Sequence, residues 1–220
     1  METDAREVAF FGRITAAFTH EMRNVLAIVR ESAGLMEDLL TLSKNDSFPH
    51  KERFVRSLAT IEAQAKRGIE LSGRLNRFAH STDEARVKID LNQTLEQIVF
   101  LSERFARLKG ITVSLIPYSE SLPVHTSPIG LHMAVFFSLE CCWDRMSTGG
   151  SIALSIGQKG SDAIVSFVCQ GHVAVAEGTS GLLQDSEADR PIERTVESLG
   201  YRVECSATGP GLALIVPLDG

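Results

Sequence analysis

Residues 18 to 24 read Phe-Thr-His-Glu-Met-Arg-Asn, inside a stretch whose apolar residues recur at helical spacing. A histidine followed by a carboxylate suggests two chemistries. The first is metal binding. A helical zinc site of the His-Glu-x-x-His type needs two imidazoles one turn apart. One turn after His20 comes Asn24, whose amide is a poor zinc ligand. The second is nucleophilic. A neutral imidazole nitrogen can take a phosphoryl group when a neighbouring carboxylate orients the ring and accepts its proton. Glu21 is adjacent, and Asn24 lies on about the same helix face, where its amide could hold a water or a phosphoryl oxygen. His20 falls off the stripe traced by Ile14, Phe18, Met22 and Val25, so its ring is expected to face solvent. A surface histidine with no chemical role is the other reading of this spacing.

Such a ring needs a rigid support. Phe11, Ile14, Phe18, Met22, Val25, Val29, Met36 and Leu40 recur at helical spacings through residues 5–43, a segment without proline. At 1.5 Å per residue the expected helix is ~55 Å long. The breakers SKNDSFPH, residues 43–50, follow. A second periodic stretch, Phe54, Leu58, Ile61, Ala65, Ile69, Leu75 and Phe78, runs to about residue 80. Two such helices on a short polar loop read as an antiparallel hairpin. A hairpin alone covers two apolar stripes poorly. Pairing with a second copy into a four-helix bundle would cover them, so a homodimer is expected. Coverage by the rest of the chain is the alternative.

After STDEARVKID the texture changes. Leu91 to Leu108 reads as a helix capped by Asp90 or Asn92, and residues 111–116 as a strand. Residues 117–130 are turn-rich, and 131–146 are helical again. SIALSIG and AIVSFVC (151–157 and 163–169) read as hairpin strands, and 171–190 as a glycine-rich acidic loop. A short helix over 191–199 and the strands YRVECSA and GLALIVPL complete the chain, with Gly209-Pro210-Gly211 as their turn. The expected second domain is an α/β sandwich of one sheet with helices over one face. The expected division is 1–84 for the helical hairpin and 85–220 for the sandwich.

The 220 residues give 24.0 kDa, 44% hydrophobic and 23% charged residues, and a formal charge of −6. That charge argues against a nucleic-acid partner. Apolar runs are too short to span a membrane, and the acidic N-terminus lacks the features of a signal peptide. Four cysteines without a Cys-x-x-Cys pair fit a reduced, cytoplasmic location.

His20-Glu21-Met22-Arg23-Asn24-Val25-Leu26, preceded by Phe18-Thr19, resembles the phosphoacceptor box of bacterial sensor histidine kinases, His-Glu-hydrophobic-basic-(Asn or Thr)-Pro-Leu. Val25 stands in place of the proline, restoring a backbone donor and leaving the helix less kinked. Residues 88–116 look like the family's lead-in to its ATP-binding domain. Leu122-Pro123-Val124, the helix from Leu131 and Gly149-Gly150-Ser151-Ile152 are similar in pattern. The likeness runs from about residue 9 to 218. It implies a helical hairpin forming a dimeric four-helix bundle, followed by an α/β sandwich of the histidine-kinase ATP-binding type. His20 would be the phosphoacceptor and Glu21 the acid–base or orienting residue. Asn24 would help position water for removing phosphate from a partner regulator.

The chain departs from the family where nucleotide should bind. Cys141 falls at the asparagine that holds magnesium, and a thiol is a poor ligand for that hard ion. No asparagine exists from residue 131 to 220. Cys169 replaces the carboxylate that would accept the adenine amino group, and Val173 replaces a loop glycine. Ser186-Glu187-Ala188, between Asp185 and Asp189, stands where a phosphate-facing Gly-x-Gly belongs, and acidic groups repel a triphosphate there. Cys141 and Cys142 read as core residues of a buried helix, and Cys169 with His172 is too small a set for a metal site.

An intact phosphoacceptor helix beside an altered nucleotide site suggests a histidine phosphotransferase. It would exchange phosphate between response-regulator aspartates through His20, while ATP-dependent autophosphorylation is not expected. The chain would bind no cofactor itself, and each partner receiver domain would bring its own Mg²⁺. Phe18, Met22 and Arg23 are candidate receiver-docking residues, ordinary bundle packing being their other reading. Few residues precede the first helix, so a stimulus is expected to arrive from another protein, an upstream histidine kinase among the candidates. Two alternatives stand beside this: a non-catalytic pseudokinase regulator with a vestigial His20, and a divergent ATP-dependent histidine kinase.

Overall fold

A computed structural model of the chain describes residues 2–42, 50–173, 190–206 and 210–218. The chain divides into two compact units, one of Phe11–Ala79 and one of Met1–Phe10 with His80–Gly220.

The helical unit is a pair of long helices. Helix α1 spans Glu2–Leu42 and helix α2 spans Lys51–Ala79. Their ends fall within a few residues of the positions read from periodicity, and residues 43–49 of the expected breaker loop lie outside the described residues. Ile14, Phe18, Val25 and Leu39 are buried along α1, and Leu71 and Phe78 along α2. Phe11 stacks on Phe78 with ring centroids 5.1 Å apart. Gly68 lets the helices approach closely, since a Cβ there would lie 3.3 Å from Val25 Cγ1. With valine rather than proline at 25, α1 keeps its backbone donor there and runs on without a break. Pairs such as Lys66–Glu62 (2.9 Å) occupy the solvated side of α2.

The α/β unit begins with β1 (Val87–Asp90) and α3 (Leu91–Leu108), capped by Asp90, whose Oδ1 accepts from Gln93 N at 3.0 Å. Then come β2 (Thr112–Ile116), β3 (Pro123–Thr126) and α4 (Pro128–Trp143). Strands β4 (Ser151–Lys159) and β5 (Asp162–Gln170), helix α5 (Arg190–Leu199), and strands β6 (Arg202–Cys205) and β7 (Gly211–Pro217) follow. A five-stranded sheet has the order β2-β4-β5-β7-β6, parallel only between β2 and β4. Alternation sends Ile152 and Leu154 of β4, and Val165, Phe167 and Cys169 of β5, to the buried face. Helix α4 is apolar almost all round and nearly every residue of it is buried, as such a composition requires. Phe136, at the centre of the core, meets Phe10, Phe105 and Trp143 edge to face, with centroids 5.1 to 5.6 Å apart.

Two features differ from the sequence reading. Strands β1 and β3 form a separate antiparallel ribbon, so the unit has two sheets rather than one. The segment read as turn-rich, 117–130, contains β3 and the first turn of α4. Pro123 opens β3 and Pro128 sits in the first turn of α4, both positions that tolerate a missing N–H. The expected acidic loop and the Ser186 to Ala188 phosphate region lie largely outside the described residues, as does Gly209 of the final turn.

Candidate functional site

The apolar stripe of α1 turns Ile14, Phe18 and Val25 inward and leaves His20 exposed. One turn along, Asn24 Nδ2 lies 3.4 Å from His20 Nδ1. With Nδ2 donating, Nδ1 is the acceptor and the ring proton sits on Nε2. Turning the amide over presents Oδ1 instead, which holds a proton on Nδ1 and frees the Nε2 lone pair for attack. Asn24 is thus placed to choose the tautomer.

Glu21 lies elsewhere. It is only 8% exposed, and its Oε2 accepts from Arg67 Nη2 of α2 at 3.0 Å. The 100° step of the helix takes consecutive residues to different faces, so Glu21 faces the other helix while His20 faces solvent. Arg67 was not among the sequence candidates. Its signal is a charge on the second helix, and the pairing depends on hairpin register, which local spacing does not carry. Among the docking candidates, Arg23 is exposed and Met22 half-buried. Phe18 is corrected: at 5% exposure it packs inside the helical unit and offers no docking surface.

In the α/β unit, Cys141, Cys142 and Cys169 are all buried. Arg145 Nη1 donates to both the carbonyl oxygen and the Sγ of Cys141, each at 3.0 Å. The Cys142 thiol hydrogen-bonds to Cys169 across the α4–β5 packing, and that bond together with burial pushes the Cys142 thiol well up, keeping it neutral. Val173 forms an antiparallel bridge with Met146, just beyond α4. All three altered positions therefore gather near the C-terminal end of α4. A thiol with a guanidinium against its sulfur does not suit Mg²⁺. Among the described residues no group of three or more His, Cys, Asp or Glu side chains could hold a metal ion. No helix among them is long and apolar enough to cross a membrane.

The chain matches no protein-family model and no curated protein. Solved structures do resemble it. The nucleotide-free catalytic domain of histidine kinase ThkA matches with TM-score 0.50 and 13% identity, over 62% of this chain and 99% of that one. The histidine kinase AdeS of Acinetobacter baumannii matches over 91% of this chain and 98% of its own, at 13% identity and TM-score 0.46. The histidine kinase domain of the Erythrobacter litoralis blue-light activated kinase EL346 matches over 89% and 94%, at 15% identity and TM-score 0.48. The ThkA likeness shows the fold of the α/β unit, a histidine-kinase catalytic domain covered almost end to end.

That completeness overturns one expectation. The sequence reading sets ATP-dependent autophosphorylation aside because of Cys141, Cys169, Val173 and the missing Gly-x-Gly at Ser186 to Ala188. The chain nevertheless has the fold of a histidine-kinase catalytic domain, so those side-chain changes do not by themselves set that activity aside.

Proposed function

We propose that this chain is the phosphotransfer and catalytic core of a two-component signalling protein, a divergent histidine kinase whose phosphoacceptor is His20. The observation that carries this reading is the solvent-facing His20 imidazole, held by Asn24 on a helical hairpin, in a chain whose other unit has the histidine-kinase catalytic fold. The Nε2 lone pair attacks the terminal phosphorus of ATP, the bond to the bridging oxygen breaks, and ADP leaves. The phosphoryl group then passes to the aspartate of a receiver domain, which supplies its own Mg²⁺. A second copy of the chain completes the helical bundle.

The second reading is that His20 receives its phosphoryl group from the aspartyl phosphate of one receiver and gives it to another. The thiols at Cys141 and Cys169 favour it, since neither offers the oxygen ligand of the family pattern. One experiment separates the two. Purified chain is incubated with radiolabelled ATP and Mg²⁺, and separately with phosphorylated receiver domains. Label on His20 from ATP supports the kinase, and label only from receivers supports the relay. No label in either, with H20Q as the blank, leaves a regulator whose histidine does no chemistry.

A further inference from the structure

Within the α/β unit, the first residues of α1, the N-terminal turn of α4 and the end of α5 enclose a cavity of about 330 Å³. Arg6, Glu7, Arg86, Ser127, Met133 and Leu199 are among its walls. The first turn of α4 lies about 20 Å along the helix axis from Cys141, at 1.5 Å per residue, so this cavity is distinct from the altered nucleotide positions.

Its polar lining combines two arginines with Glu7 and the hydroxyl groups of Thr126, Ser127, Thr195 and Ser198. Arg6 Nε and Nη1 are sealed from solvent and have no hydrogen-bond partner among the described residues. A guanidinium nitrogen buried without a partner is costly, and an oxyanion is its natural complement, since the planar fork matches phosphate or carboxylate oxygens. Arg86 adds a second cation, anchored at one nitrogen by donation from Nη2 to the His125 carbonyl at 3.1 Å. Ser127 caps α4 by accepting from Gly130 N at 3.2 Å, and the helix start adds partial positive charge. Glu7 opposes these, leaving two cations against one anion. Met133 and Leu199 provide an apolar wall, and the absence of a side chain at Gly130 is what lets Leu199 close in, since a Cβ would meet Leu199 Cδ2 at 2.5 Å.

We infer that this cavity binds a small organic oxyanion, its phosphate or carboxylate group on Arg6 and Arg86 and its carbon part on Met133 and Leu199. The site does not rest on the phosphotransfer reading, and the H20Q chain should bind as the wild type does. The test is thermal unfolding of the intact chain against rising inorganic phosphate, phenyl phosphate or benzoate, with R6M and R86Q as variants. In the wild type phosphate raises the midpoint, and phenyl phosphate or benzoate raises it further, the better of the two identifying the anionic group. R6M unfolds at a higher midpoint than the wild type without ligand, because buried donors without a partner are gone, and loses at least about tenfold in affinity. If R6M does not fold, R86Q reads the same loss of affinity. No shift in the wild type, or a shift that survives both R6M and R86Q, would overturn the inference.

Discussion

At the scale of single residues, the site depends on which way side chains leave one helix. His20 and Asn24 share an outward face while Glu21 turns inward to Arg67. H20Q should abolish an acid-labile phosphoryl label whichever donor supplies it, with unchanged circular dichroism. N24A should slow label uptake on the order of tenfold, equivalent to about 1.4 kcal/mol in the barrier, because the ring loses its tautomer partner. Equal rates for N24A and wild type would remove Asn24 from the mechanism. Glu21 and Arg67 also contribute to stability. Arg67 is half-exposed, so the pair is worth about 1 kcal/mol, read as the coupling in a double-mutant cycle of E21Q and R67A by urea unfolding. The exposure of His20 was legible because three apolar neighbours fix the face of α1. The partner of Glu21 was not, because it sits on another helix whose register no local spacing encodes.

At the scale of elements, the long periodic helices and the alternating strands β4 and β5 could be read directly, since each carries many repeats of one period. The four-residue strands β1 and β3 could not. Their backbones are fixed by pairing with each other, Val87 opposite Thr126 through Asp90 opposite Pro123, and not by any pattern of their own. Helix α4 holds His132, 2% exposed, and burial pushes its imidazole down to about 4. The unfolded chain takes up that proton near pH 6.5 while the folded chain refuses it. Stability contributed at this position is therefore full above about pH 6.5 and falls as pH drops toward about 4, by about 3 kcal/mol in total. Urea unfolding at pH 7.5 and 4.5 should show this loss in the wild type and not in H132L, after the change common to both is subtracted. Strand β7 offers a steric counterpart. A Cβ on Gly211 would lie 2.0 Å from the Phe167 carbonyl oxygen of β5, a backbone atom that cannot swing away. G211A should cost about 2–4 kcal/mol by prying β5 and β7 apart. An unchanged unfolding midpoint would show that the strands re-space freely.

At the scale of the whole molecule, the helical unit is the part that one copy of the chain leaves unfinished. Leu26 is 59% exposed, Leu58 52% and Ile69 74%, and Leu35 and Leu40 are also open to solvent. Two helices packed along one seam have no second layer to cover such residues, and large apolar side chains left open in this way favour a further surface laid over them. A second copy of the same hairpin supplies a matching face by two-fold symmetry, with the four-helix bundle as the outcome. Light scattering on size-exclusion fractions should therefore give twice the chain mass for the wild type. The L58E/I69E double variant should run at the mass of one chain and unfold at a lower midpoint, since each glutamate would have to enter an apolar seam. A wild type that stays monomeric up to its highest soluble concentration would assign these side chains to a different partner.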